Sequence, residues 1–215
     1  MQTETARVEA FSDGVFAIAI TLLILEIKIP RQDQGHLAAA LLRQWPSYVA
    51  FFLSFAYIGI MWINHHRMFT HIKRSNDVLL VLNLLLLLGV TIVPFPTAVL
   101  AEHLGGPDQG TAALVYNATF VVIAVAFNVL WRYAVSRHLL HEHAVVASAN
   151  ISSQYAVGPL VYAACLVIAW FNVRASVVAN IALALFFALP PSLMKKNPAR
   201  ADRADQIRPP GAPES

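Results

Sequence analysis

The chain has 215 residues, of which 58% are hydrophobic and 13% charged, with a formal net charge of +3 and a mean hydropathy of +0.60. Soluble domains carry about 25% charged residues, so the composition excludes an ordinary water-soluble globular protein and places the chain in the membrane class. The basic residues flank apolar runs, which argues against a nucleic-acid partner, and a single Cys165 excludes an intramolecular disulfide framework.

Six apolar segments are predicted, at about 8–28, 45–64, 78–100, 112–132, 155–172 and 175–193, each near the ~20 residues that cross a bilayer as a helix. The first starts inside a polar stretch, Arg7-Val8-Glu9-Ala10-Phe11-Ser12-Asp13. Lipid solvates none of Arg7, Ser12 or Asp13, so these side chains must face protein or a water-filled path. The residues before Gly14 set Arg7 against Glu4, Glu9 and Asp13. That is the wrong sign for a cleavable signal, so the segment reads as a retained span.

Two stripes run along this first helix. Phe11, Val15, Ile18, Leu22, Leu25 and Ile29 form a bulky heptad seam, and Ala10, Gly14, Ala17 and Thr21 form a small one. The bulky seam fits lipid or core contact. It equally fits symmetry-related helices meeting around an axis, where a narrow apolar ring gates by dewetting or makes an ion shed water. The spacing accommodates both readings.

In the second segment, Trp45-Pro46 suits an interfacial start, and Trp62, Asn64, His65 and His66 lie at the depth of Ser12 and Asp13. An indole, an amide and imidazoles all bond a carboxylate or hydroxyl, so a network tying helix one to helix two is expected. Arg7 and Asp13, six apart, point to different faces and are not expected to pair. In the third segment Asn83 is expected to make an interhelical hydrogen bond, and Pro94 and Pro96 to kink or end the helix. Gly105-Gly106-Pro107-Asp108 is a turn, and Asn172-Val173-Arg174 leaves room only for a tight hairpin.

Glu26 and Lys28 are expected to snorkel at the other end of helix one, with Glu26 able to attract cations there. His138, His141, His143 and Glu142 match no standard zinc spacing and read as a solvated loop, so no metal is expected. Asn117 and Asn150 match the glycosylation pattern, but one lies in a span and the other on the inner side. Residues 1–194 form one helical membrane domain; 195–215, rich in Pro, Ala and charge, are expected to be a disordered tail. No internal repeat is evident, which disfavours an inverted-repeat transporter.

With the N-terminus inside, eleven basic residues lie inside (Arg7; Arg67, Lys73, Arg74; Arg132, Arg137; Lys195, Lys196, Arg200, Arg203, Arg208). Four (Lys28, Arg31, Arg43, Arg174) lie outside. This asymmetry predicts both termini in the cytoplasm of a cell whose inner membrane holds the protein.

The stretch Arg7-x-x-x-Phe11-Ser12-Asp13 followed by Gly14-Val15-Phe16-Ala17-Ile18-Ala19-Ile20-Thr21-Leu22-Leu23 resembles the signature of the transmembrane protein 175 family of endolysosomal potassium channels and its single-repeat bacterial members. Trp62-Ile63-Asn64-His65-His66-Arg67-Met68-Phe69 is similar to the same family at the end of helix two. The resemblance covers about 190 residues. It implies an all-α homotetramer of six-helix subunits, with helix one lining the pore and no re-entrant selectivity loop. By the same resemblance the constriction falls at Ile18, further apolar layers at Leu22 and Leu25, and a hydroxyl layer at Thr21. The only small molecules implied are permeant potassium ions; no cofactor and no catalytic residue is expected.

Three classes of function are weighed. A passive potassium-selective channel leads. A proton-coupled carrier would use Asp13 and the inner histidines as a relay, but no mid-span charge pairs accompany them; proton leakage through a pore remains compatible with the resemblance. A membrane enzyme finds no zincin spacing, nucleophile elbow or phosphate loop.

Overall fold

The structure, a computed structural model, describes residues 5–28 and 36–188, without the side chains of residues 143, 145–151, 154 and 188. The expected tail at 195–215, Ile29 of the bulky seam and Asn150 lie outside what is described. Helix α1 (Ala6–Leu22) continues as a 3-10 turn, Leu23–Glu26. Then come α2 (Leu37–Arg43), α3 (Trp45–Phe69), α4 (Asp77–Ile92), α5 (Pro94–His103), α6 (Gln109–Ser136), α7 (Glu142–Phe171) and α8 (Val173–Ala188).

Among the described residues four helices are long and apolar enough to cross a membrane: Ala6–Glu26, Trp45–Phe69, Asp77–His103 and Gln109–Ser136. Two shorter apolar helices cover Tyr155–Phe171 and Val173–Phe187. The third span is bent where α4 gives way to α5. Proline offers no N–H to the preceding turn, and Pro94 takes the first position of α5. The Thr97 amide and hydroxyl both donate to the Val93 carbonyl, at 3.2 and 2.8 Å. The bend therefore leaves that carbonyl satisfied.

Two elements differ from the sequence expectation. The short α2 precedes the second span, and α7 begins at Glu142 rather than near 155. Residues 142–154 hold three alanines, two valines and an isoleucine among polar residues. Such a segment favours helix yet falls below a hydropathy threshold. The tight hairpin at Asn172 is present. Its side-chain oxygen accepts the Ala175 amide at 3.0 Å, opening α8, and the Ser176 hydroxyl reaches back to the Cys165 carbonyl at 2.9 Å.

Helix α6 is the central element, packed against α4, α5, α7 and α8. It carries the fully buried Tyr116, Phe120 and Trp131. Tyr57 of α3 and Tyr162 of α7 complete an aromatic cluster, with ring centroids 4.7 Å (Tyr57–Phe120) and 5.4 Å (Tyr57–Tyr162) apart. Helices α4 and α6 approach closely at Gly89, where a Cβ would stand 2.9 Å from Ile123 Cγ1.

Beside the aromatic cluster lies a buried polar knot. Asn180 donates to Asn117 Oδ1 (3.0 Å) and to the Ser176 carbonyl (2.8 Å), and accepts from the Tyr57 hydroxyl (2.8 Å). Asn117 is thus spent on helix packing, in keeping with its exclusion as a glycosylation site. The loop after α3 is clipped to the connection before α7. Lys73 N donates to the Leu139 carbonyl (2.8 Å) and His141 N to the His71 carbonyl (3.0 Å). Among the described residues no group of three potential metal ligands comes together.

The polar knot generates a stability prediction. Asn180→Ala strands the Asn117 carbonyl oxygen in an apolar interior, while the Tyr57 hydroxyl keeps the main-chain carbonyl of residue 180 at 3.1 Å, and lowers unfolding free energy by about 1–2 kcal/mol. Adding Asn117→Ala costs less than the sum of the two single losses, because the stranded oxygen disappears with it. Thermal unfolding of the purified protein in detergent measures both effects.

Candidate functional site: the exposed face of the first helix

Helix α1 packs against α3 and α4 through one side. That side consists of Ser12, Phe16, Ala19 and Leu23, all buried, at the 4, 3, 4 spacing of a helical stripe. Among the described residues the opposite half of its circumference is exposed, with Asp13 at its edge bonded to another helix. It carries Phe11 (57% exposed), Ile18 (60%), Leu22 (42%) and Leu25 (68%), together with exposed Arg7, Ala10, Asp13, Gly14, Ala17 and Thr21. At about 100° per residue, Gly14 and Thr21 stand near the middle of this arc and Leu22 near its edge. Thr21 was expected beside the bulky seam; on the folded chain it shares one exposed surface with Ile18 and Leu25. Its hydroxyl donates to the Ile18 carbonyl at 2.9 Å, which holds the polar atom against the helix.

The rotation of α1 is fixed by a chain of hydrogen bonds through three helices. Ser12 Oγ donates to the Val8 carbonyl (2.8 Å) and accepts from Asn83 Nδ2 of α4 (3.0 Å). Asn83 Oδ1 then lies 2.9 Å from His65 Nε2 of α3. With the amide nitrogen committed to Ser12, the oxygen is the acceptor and Nε2 carries the proton. Ser12, Asn83 and His65 are each at most 2% exposed. Phe16 and Phe69 flank the imidazole, at centroid distances of 5.4 and 4.5 Å.

A second tie lies at the rim of the exposed arc. Trp62 Nε1 donates to Asp13 Oδ1 at 2.8 Å, and the His66 ring stacks on the indole at 6.2 Å. The carboxylate thus receives a charge-assisted bond. The four polar residues expected on helix two separate accordingly. Trp62 and His65 bond the first helix (His65 through Asn83), and His66 supports Trp62. Asn64 stands one residue from His65 and so about 100° away; its main-chain carbonyl accepts the Tyr155 hydroxyl of α7 at 3.2 Å.

Asn83 was legible as an interhelical bond but not as the link between the motif serine and His65. Depth supplies the missing signal. The loop joining α3 to α4 puts the end of one and the start of the other at the same membrane face, so His65 and Asn83 lie within two turns of it. At the opposite end of the helix, Lys28 pairs with Glu102 of α5, and that carboxylate raises the Lys28 pKa above its ordinary value.

The model of the endosomal/lysosomal potassium channel TMEM175 family matches residues 7–94. This stretch contains the exposed arc, both ties and the start of α5. A potassium channel of Chamaesiphon minutus is 47% identical over 196 residues, covering 87% of this chain and 95% of its own. One from Streptomyces collinus is 46% identical, covering 86% and 91%. The human endosomal/lysosomal proton channel TMEM175 is 34% identical over 146 residues, 63% of this chain but 28% of that protein. Among solved structures, the lysosomal potassium-selective channel TMEM175 homolog from Chamaesiphon minutus superimposes with a TM-score of 0.79 at 46% identity, over 87% of this chain and 97% of that one. An all-helical membrane protein with this motif geometry, and with relatives at this identity along most of its length, belongs to the TMEM175 family of ion channels.

Proposed function

We propose that the protein is a passive, potassium-selective channel of the inner membrane, assembled from four six-span subunits with α1 of each around a common axis. The observation that carries this reading is the exposed arc of α1. Elsewhere the surface fits lipid: α4, for example, exposes Val81, Leu84, Leu85 and Leu88. The arc of α1 instead mixes Ile18, Leu22 and Leu25 with Arg7, Asp13, Gly14 and Thr21. Charged and hydroxyl groups beside large aliphatics suit a surface that meets both water and copies of itself better than one that meets acyl chains alone. The potassium channels named among its relatives support the choice of ion.

In this arrangement Ala10, Gly14 and Ala17 let neighbouring helices approach. Ile18, Leu22 and Leu25 narrow the path, with Ile18 the constriction. An aliphatic ring offers an ion no substitute for its hydration shell. Potassium gives up water more readily than sodium, so the ring favours it, and dewetting closes the path when the ring contracts. No carbonyl cage and no cofactor takes part. Basic residues flanking the spans put both termini in the cytoplasm.

Proton permeation is the second reading, favoured by the vertebrate relatives named proton channels. The buried Ser12–Asn83–His65 chain is poorly suited to carry it. Every donor in the chain points one way, and it ends on the Val8 carbonyl, not on the exposed Asp13. Protons would therefore travel with water along the arc.

Ile18→Asn replaces the apolar ring by one that holds water. Under bi-ionic conditions with potassium on one side and sodium on the other, the reversal potential of the purified channel in planar bilayers is expected to move toward zero. An unchanged reversal potential in a normally assembled variant removes Ile18 from the filter.

The tie at the rim has its own test. Trp62→Phe and Asp13→Asn each weaken one charge-assisted bond and are expected to lower stability by about 1–2 kcal/mol. In the double variant the losses fall short of the sum by about 1 kcal/mol, since the bond can be removed only once. Thermal unfolding of the assembled protein reads the coupling.

A further inference from the structure

A cavity of about 470 Å³ lies between α3, α6, α7 and α8, and none of its wall comes from α1. Its volume is in the range of sites that hold small organic ligands. The wall changes character along its length. Arg67 and Asn64 stand toward the end of α3, next to the Tyr155 ring, whereas Ile60, Ile123, Phe127 and Val161 line the interior. Arg67 and Ile60 are seven residues apart on one helix, roughly 10 Å at ~1.5 Å per residue. The cavity therefore has a cationic mouth and an aliphatic and aromatic interior. Arg67 is exposed, and among the described residues no carboxylate forms an ion pair with it. Val157 (50% exposed) and Phe186 (60%) lie on its flank, so it opens sideways from the bundle.

We propose that this cavity binds one acyl chain of an anionic phospholipid from the surrounding leaflet, with the lipid phosphate on Arg67. The guanidinium recognises phosphate by paired N–H donors. Basic pockets between membrane helices recognise anionic headgroups for this reason. The interior takes an apolar chain, and the lateral opening leaves the second chain of the lipid in the bilayer. Gly158 lines the cavity, and a Cβ built there meets nothing within 4 Å. A larger side chain at that position fills the space without a clash.

The test uses the full-length channel in phosphatidylcholine vesicles containing a phosphatidylglycerol with a photoactivatable diazirine on one chain. Adducts are mapped by peptide mass spectrometry after illumination. Adducts are expected on residues 123–127 and 155–162. Gly158→Leu is expected to abolish them, with Val161→Phe as a second filling variant should the first fail to assemble. Arg67→Gln is expected to cut the yield roughly fivefold, the worth of one basic residue near an anionic lipid surface, and to leave a phosphatidylcholine probe unaffected. Adducts spread evenly over the lipid-facing surface, or undiminished in both filling variants, overturn the proposal. So does an unlabelled wild-type cavity, which would mean that another part of the chain or a second copy covers it. Displacement by free palmitate or by inorganic phosphate at low concentration would reassign the site to a fatty acid or to a bare anion and equally overturn it. Labelling is read without ion flux, so the result stands apart from the channel assignment.

Discussion

The hydrogen-bond chain from Ser12 through Asn83 to His65 is the constraint on which the rest of the structure depends. Polar atoms buried within a membrane bundle find no water, and each must meet a partner or cost several kcal/mol. Three side chains from three helices satisfy one another here, and each has few alternatives. Turning α1 about its axis by one residue would carry Ser12 off Asn83 and leave both unsatisfied. The chain thereby selects which half of α1 faces the bundle and which half is left outside it. Phe16, Ala19 and Leu23 would fill space adequately at several rotations; the serine is what distinguishes among them.

From that rotation the chemistry of the outward half follows. Asp13 is one residue from Ser12, so fixing the serine inward brings the carboxylate to the edge of the exposed arc, where Trp62 meets it. Ile18 lies six residues beyond Ser12 and is carried to the far side of the helix from the buried stripe. A motif that looks like a run of unrelated residues, Phe-Ser-Asp, is thus a set of directions around a cylinder: one residue out, one in, one at the boundary. The Lys28–Glu102 pair and the 3-10 turn act at the opposite end, where the helix tightens and α5 ends.

Much of this was legible in the sequence, and what escaped did so for definable reasons. Within the described residues the apolar runs fall on helices, because hydropathy over a span-length window reports the one property lipid demands. The break at Pro94 followed from a missing N–H. The first thirteen residues of α7 escaped because they are helical without being strongly apolar, and α2 because its apolar run, Leu37–Arg43, is far shorter than a span. The motif partners on helix two were recognisable by type and depth. Their division between two faces of α3 was not, since adjacent residues differ by about 100° and a depth argument carries no angle. Asn64 was accordingly grouped with Trp62, and its main-chain carbonyl meets Tyr155 of α7. Asn83 stood out as a polar residue among leucines, but its two partners became apparent only when three helices were placed together.

Two kinds of polar residue therefore need to be separated in a bundle of this sort. Asn117, Ser176, Asn180 and Tyr57 bond one another and nearby main-chain carbonyls, deep between α3, α6, α7 and α8, and they hold helices together. Ser12, Asn83 and His65 are equally buried and equally satisfied, yet they adjoin a helix whose other half is unpartnered, and so they also determine what that half presents. Burial and hydrogen bonding alone do not tell the two apart. The difference lies in what stands on the far side of the helix. Behind α1 is an arc of isoleucine, leucine, threonine and glycine that is exposed among the described residues. An arc of that composition, held in one orientation by buried bonds, is able to meet identical arcs in register, and a ring of identical side chains at one depth is what a hydrophobic constriction requires.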